Sequence, residues 1–146
     1  MLRGNYAAKI DDKGRLKIPN AFRALVEKAH GSELFVTSLT GESVRIYPMP
    51  VWLALEERLS RAPSIHPARG KFLDRVNYFG QSAEIDAQGR VVIHQRLRDS
   101  AGMSGEVDVL GAIERLDVWN HDRFVSRLQG DPFTDDDAKA LSEFGI

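Results

Sequence analysis

The residue types best able to do chemistry in this chain stand in two matching runs, Asp11-Asp12-Lys13-Gly14-Arg15 and Asp86-Ala87-Gln88-Gly89-Arg90. In each run Asp takes the position favoured at the first residue of a type I turn, and Gly takes the closing position where φ turns positive. Asp11, Gly14, Asp86 and Gly89 are therefore read as shaping two tight hairpin turns, each carboxylate accepting from backbone N–H groups a few residues on. An arginine follows each turn directly. Its planar guanidinium presents a fork of donors that matches a phosphate or the edge of a guanine, so an arginine held by a rigid turn suits recognition of either. A lone surface arginine is ordinarily a solvated charge. Recurrence at the same place in two turns is what singles out Arg15 and Arg90, with Lys13 and Lys17 beside the first of them.

Other chemistry finds little support. His30, His66, His94 and His121 stand far apart, and the zinc-type histidine pairs, the phosphate-cradling glycine loop and the nucleophile elbow are all missing. Asp11-Asp12 has no third acid nearby to complete a magnesium site, and the chain has no cysteine for a disulfide or a thiolate ligand. No catalytic residue, metal or cofactor is assigned, and no small-molecule substrate is expected. The sequence contains no apolar run of about 18 residues, and Met1–Tyr6 lacks the apolar centre of a signal peptide. A cytoplasmic location without membrane contact is the expectation.

Two such turns need elements to hold them, and the chain supplies those elements twice. At an offset of 75, residues 10–23 match residues 85–98 at six of fourteen positions, the last being Arg23 with Arg98. Ordinary residue frequencies give about one match. The likeness continues with Glu33-Leu34-Phe35-Val36 against Glu106-Val107-Asp108-Val109, and with Val44-Arg45-Ile46-Tyr47 against Leu116-Asp117-Val118-Trp119. Trp52 answers Phe124. The chain is a duplication.

Each half reads as an extended run, the turn, a short strand, a short helix and two further strands. In the first half the short strand covers Arg15–Ile18, with Leu16 and Ile18 on one face and Arg15 and Lys17 on the other. The helix over Asn20–Ala29 carries Phe22, Leu25, Val26 and Ala29 at helical spacing. Strands follow at Glu33–Ser38 and Ser43–Tyr47, divided by Thr40-Gly41. The second half places the corresponding strands near Gly105–Leu110 and Arg115–Trp119. Between the halves lie two helical patterns, Pro50–Arg61 and Pro67–Phe79, whose apolar stripes (Trp52, Leu55, Leu59, Phe72, Val76) serve either core packing or contacts between subunits. The organisation expected is a first unit over 5–50, a helical linker over 51–79, a second unit over 80–123 and an acidic, flexible tail over 129–146 with one amphipathic stretch, Asp135–Phe144. Half-domains this small bury too little apolar surface alone. The fold class is therefore α+β, with two units sharing one β core under short helices.

Net charge is −1 over 146 residues, which by itself argues for no particular partner. Its distribution is uneven. Residues 1–30 hold seven Lys or Arg against three acids, whereas residues 128–146 hold five acids against one lysine. A basic face at one end and an acidic tail kept away from it is one reading; a solvated surface is the other.

Residues 1–23, from Met-Leu-Arg-Gly-Asn-Tyr through Asp-x-Lys-Gly-Arg-Leu-x-Ile-Pro-x-x-Phe-Arg, resemble the N-terminus of the MraZ family. The second turn, Tyr47-Pro48 with Trp52, and Val118-Trp119 extend the likeness over about residues 1–128. The resemblance implies tandem AbrB-like units whose hairpins interleave into a swapped β structure. It further implies a transcriptional regulator that binds double-stranded DNA as a ring-shaped homo-oligomer, on direct repeats in the promoter of a division and cell-wall gene cluster. Repression of its own operon and a nucleoid-associated location go with that. On the family pattern the motif arginines, Arg15 and Arg90, contact DNA, with Lys13 and Lys17 alongside. The second copy departs from the first: His94 replaces Pro19 and Val92 replaces Lys17, so its outer face is less basic. The alternative is a structural or protein-binding ring whose arginine turns meet an acidic partner.

Overall fold

In the short strand after the first turn, Leu16 and Ile18 are fully buried while Arg15 and Lys17 lie outside. The same alternation buries Val91 and Ile93 and leaves Arg90 and Val92 outward. This two-residue period, repeated around the sheet, turns a string of short strands into one apolar interior. The computed structural model describes residues 1–146. The first half comprises β1 (Asn5–Ile10), β2 (Arg15–Lys17), α1 (Asn20–His30), β3 (Glu33–Thr37) and β4 (Val44–Pro48). The linker forms α2 (Met49–Ser60) and α3 (Pro67–Phe79). The second half comprises β5 (Gln81–Glu84), β6 (Arg90–Val92), α4 (Gln95–Ala101), β7 (Gly105–Ala112) and β8 (Arg115–Asn120), followed by α5 (His121–Gly130) and α6 (Asp135–Ser142).

All eight strands join one antiparallel sheet in the order β5-β3-β4-β8-β7-β1-β2-β6. β6 leads back to β5 through the second turn, where Asp86 N–H donates to the Arg90 carbonyl, so the sheet nearly closes on itself. The halves interleave. β1 pairs with β7 from Asn5↔Leu110 to Ile10↔Gly105, and β5 pairs with β3 from Glu33↔Glu84 to Val36↔Gln81. β2 pairs with β6 and β4 with β8, each across a local two-fold relation between the repeats. This is the swapped arrangement of two AbrB-like units, and the fold class is α+β.

The interior explains why these strands pair as they do. A continuous core runs through Leu16, Ile18, Phe22 and Val36 of the first half and Val91, Ile93, Leu97 and Val107 of the second. A smaller core of Tyr47, Trp52 and Val76 fastens the linker helices, with the Phe35 and Trp52 rings stacked at 4.4 Å. The linker's Trp52 and Val76 are thus core residues. α1 buries only Phe22 and Val26; Leu25 stays 46% exposed and Ala29 is exposed, because the helix rests on the barrel along one narrow stripe. The acidic tail forms α6, whose first turn is closed by a reciprocal cap. Thr134 accepts from Asp137 N–H, and the Asp137 carboxylate accepts from Thr134 N–H at 2.9 Å.

Leu16 sits fully buried where β2 meets β6, opposite Val91. Truncating a side chain there removes packing for both halves at once. Leu16→Ala should lower unfolding free energy by about 2–5 kcal/mol, measured by urea denaturation. A loss well under 1 kcal/mol would mean that this contact does not join the halves.

Candidate nucleic-acid interface

The turn geometry follows from its residue types. Asp11 accepts at Oδ1 from the backbone N–H groups of Lys13 and Arg15, at 3.0 and 2.9 Å. Gly14 N–H closes the turn on the Asp11 carbonyl at 3.0 Å, and Gly14 then takes φ +79°. The second turn repeats each feature: Asp86 Oδ1 accepts from Gln88 and Arg90 N–H groups at 2.9 Å, and Gly89 has φ +80°. Both carboxyls titrate below the usual range. The backbone N–H of Arg15 is the largest cause for Asp11, and that of Arg90 for Asp86.

Each Asp also holds its arginine. Arg15 Nε donates to Asp11 Oδ2 at 2.7 Å, and Arg90 Nε to Asp86 Oδ2 at 3.3 Å. A partly exposed pair of this kind adds little stability; its consequence is orientation. With Nε engaged, the terminal Nη groups have no protein partner and remain as the outward fork. One carboxylate therefore folds the turn and aims the guanidinium.

The pairing of β2 with β6 puts the two arginines on one surface. Arg15 lies opposite Val92, and Lys17 opposite Arg90. Arg15 and Arg90 are diagonal neighbours, about 7–8 Å apart by sheet geometry. Lys17 and Arg90 are like charges set face to face, a destabilising arrangement. It is relieved because Lys17 Nζ donates to the Gln88 carbonyl at 2.5 Å and Arg90 turns to Asp86. Lys13 is exposed at the tip of the first turn. All four candidate cations thus lie on or beside one ladder. Asp11, Asp12 and Asp86 offset most of their charge, so the face is a pattern of aimed donors more than a strong positive field.

Arg23 and Arg98 lie outside the two turns but bear on them. Each reaches across the local two-fold to the other half's turn. A Cβ placed on Gly89 would lie 3.0 Å from Arg23 Nη1, and one on Gly14 would overlap the Arg98 guanidinium. The available signal was their identity at the end of the repeat. Elsewhere, His121 Nδ1 meets the buried Asp108 at 2.7 Å, and that hydrogen bond raises the imidazole's pKa. The four histidines do not converge, and no trio of His, Asp or Glu is placed to hold a metal ion. No helix is long and apolar enough to cross a membrane.

Against known proteins, the family model for the MraZ protein matches residues 1–75 and 80–144, taking in both turns. The chain belongs to the MraZ family. It is 45% identical to the transcriptional regulator MraZ of Acidobacterium capsulatum and 44% identical to that of Koribacter versatilis, in both cases over the full length of each protein. The Serratia proteamaculans transcriptional regulator MraZ is 28% identical over 132 residues, covering 90% of this chain and 87% of the relative. In this chain the duplicated motif and the swapped sheet coincide, since the matching segments are the two halves whose strands interleave.

Two outcomes follow from the turns. Gly14→Val should destabilise far more than Asp12→Ala, because valine at positive φ is strained and the site is already filled by Arg98. Equal melting temperatures for Gly14→Val and wild type would show that the turn does not require glycine. The second outcome concerns pH. Both folded-state carboxyls are held below the unfolded value of about 3.9. Their contribution is therefore present above that value and lost as pH falls through the lower folded one. The difference in melting temperature between wild type and Asp11→Ala should be largest near neutrality and shrink below about pH 4; a difference that widens in acid would contradict the assignment.

Proposed function

We propose that this MraZ-family chain is a sequence-specific DNA-binding transcriptional regulator that works by binding rather than by catalysis. The observation that carries the reading is the pair of Asp-aimed guanidinium forks side by side on β2 and β6. Arg15 and Arg90 are the contacts to DNA, each fork matching a guanine edge or a phosphate, and Lys13 and Lys17 add positive charge beside them. The curated relatives are named as transcriptional regulators, which supports the same reading. The place of action is the nucleoid in the cytoplasm, on direct repeats in the promoter of the chain's own operon, within a division and cell-wall gene cluster. Repression is the expected result.

A near-neutral face with two forks makes a weak unit. Specific binding then requires several copies, and a ring-shaped homo-oligomer on spaced repeats gains about 10²–10⁴ in avidity when neighbouring subunits engage together. Arg15→Ala should abolish specific binding while leaving fold and assembly intact, since an outward side chain leaves no cavity. Each lost fork should cost about 1–3 kcal/mol of discrimination. Fluorescence anisotropy with the upstream region against shuffled DNA measures it. Unchanged affinity would remove Arg15 from the interface, and binding only to an acidic protein would favour the alternative ring.

Phasing tests the assembly separately. Fragments with several repeats should bind out of proportion to repeat number and with a steeper salt dependence, each neutralised phosphate adding about −0.9 to the slope. Inserting about five base pairs turns a repeat to the opposite face of the duplex, because one helical turn is about 10–10.5 base pairs. The cooperative gain should then fall away, and an insertion of about ten should restore part of it. Equal affinity for phased and unphased repeats, or a monomer by light scattering, would overturn the ring mechanism.

A further inference from the structure

The two turns are built alike but held differently. In the second turn three consecutive carbonyls are captured by the first half of the chain. Arg23 Nη2 donates to Ala87 at 3.3 Å, Lys17 Nζ to Gln88 at 2.5 Å, and Ile18 N–H to Gly89 at 2.9 Å. In the first turn only the Gly14 carbonyl is taken across the two-fold, by Ile93 N–H at 2.9 Å. Val92 stands where the repeat has Lys17 and has no donor to offer. Arg98 stands where the repeat has Arg23, but its guanidinium is spent on Ile93 and Gln95 of its own half. It touches Gly14 only by packing.

We infer that Lys17 and Arg23 are positioning residues for Arg90, holding the second turn from the first half, so that Arg90 is presented on a fixed turn and Arg15 on an adaptable one. The chemistry favours this role over direct phosphate contact. An ammonium bonded to Gln88, directly opposite Arg90, is anchored to the turn that aims Arg90. Arg23 is likewise tied down, its Nε donating to Glu27 at 2.8 Å and its Nη2 to Ala87. The consequence is a division of labour between arginines of identical local motif. The less basic second half, which has Val92 where the first has Lys17, receives its lysine contact from the first half instead. The binding consequence rests on the DNA reading above; the mechanical one does not.

Two measurements on the full-length protein separate these. The first is amide hydrogen exchange without DNA. Arg23→Ala and Lys17→Ala should each speed exchange at Gln88 and Arg90 by about fivefold, the equivalent of one hydrogen bond. Exchange at Lys13 and Arg15 and in the β3 core should be unchanged, and Arg23→Lys should recover part of the protection. Uniform acceleration at both turns, or none at the second, would overturn the inference whether or not the protein binds DNA. The second is a double-mutant cycle on operator affinity. Lys17→Ala and Arg23→Ala should each weaken binding severalfold in the wild-type background and have almost no effect in an Arg90→Ala background. An equal loss in both backgrounds would make Lys17 an independent phosphate contact and sink the positioning role. Selective exchange at the second turn without any operator binding would uphold the mechanical coupling and reject the DNA reading instead.

Discussion

Neither half of this chain can complete a sheet alone. Within the first half β1 meets β2 and β3 meets β4, but no ladder joins those two hairpins. Their outer edges are satisfied only by the other half, through β1 with β7, β3 with β5, β4 with β8 and β2 with β6. Unpaired edges buried against apolar neighbours would each leave backbone N–H and C=O groups unsatisfied. The obligation to pair across the repeat therefore sets the topology. It also puts the two turns at opposite ends of the β2–β6 ladder. The arrangement of the candidate interface is a by-product of closing the sheet.

The same pairing explains why glycine is demanded twice over at the turns. Positive φ is the local reason. The tertiary reason is that a Cβ on Gly14 would overlap the Arg98 guanidinium and crowd the Ile93 carbonyl at 2.9 Å, while one on Gly89 would press against Arg23 at 3.0 Å. The motif aspartates likewise serve two purposes, closing the turn with one oxygen and orienting the arginine with the other. Local folding and presentation of charge are thus coupled through one residue type.

Duplication did not keep the halves equal. Where the first half stacks Phe35 on Trp52, the corresponding second-half position is Asp108, which accepts from Asn5 and His121 inside the sheet. The ring pair of Tyr47 with Trp52 persists as Trp119 with Phe124, at 5.0 and 5.8 Å. The aromatic anchor of each following helix is therefore common to both halves, while the strand residue beneath it is apolar in the first and acidic in the second. A buried carboxylate is tolerated there because both of its oxygens are bonded.

The repeat, the two turns, the alternation of Arg15 and Lys17 against Leu16 and Ile18, and the α+β class were legible in the residues, because each depends on periods of a few positions. Strand limits came within a residue or two for the same reason. The exposure of Leu25 was not legible, since helical spacing shows an apolar stripe without showing how wide a surface it meets. The tail's cap at Thr134 was only weakly legible, because Asp137 stands where Glu or Gln is the commoner partner. Arg23 and Arg98 were visible as identities but not as struts, and Lys17 looked like a free cation. Their partners lie 64 to 84 residues away in sequence, at Ala87, Gly14 and Gln88. Sequence determined which groups each turn would carry. Only the tertiary structure decided which half holds which turn, because that depends on strand pairing between segments with no local reason to meet.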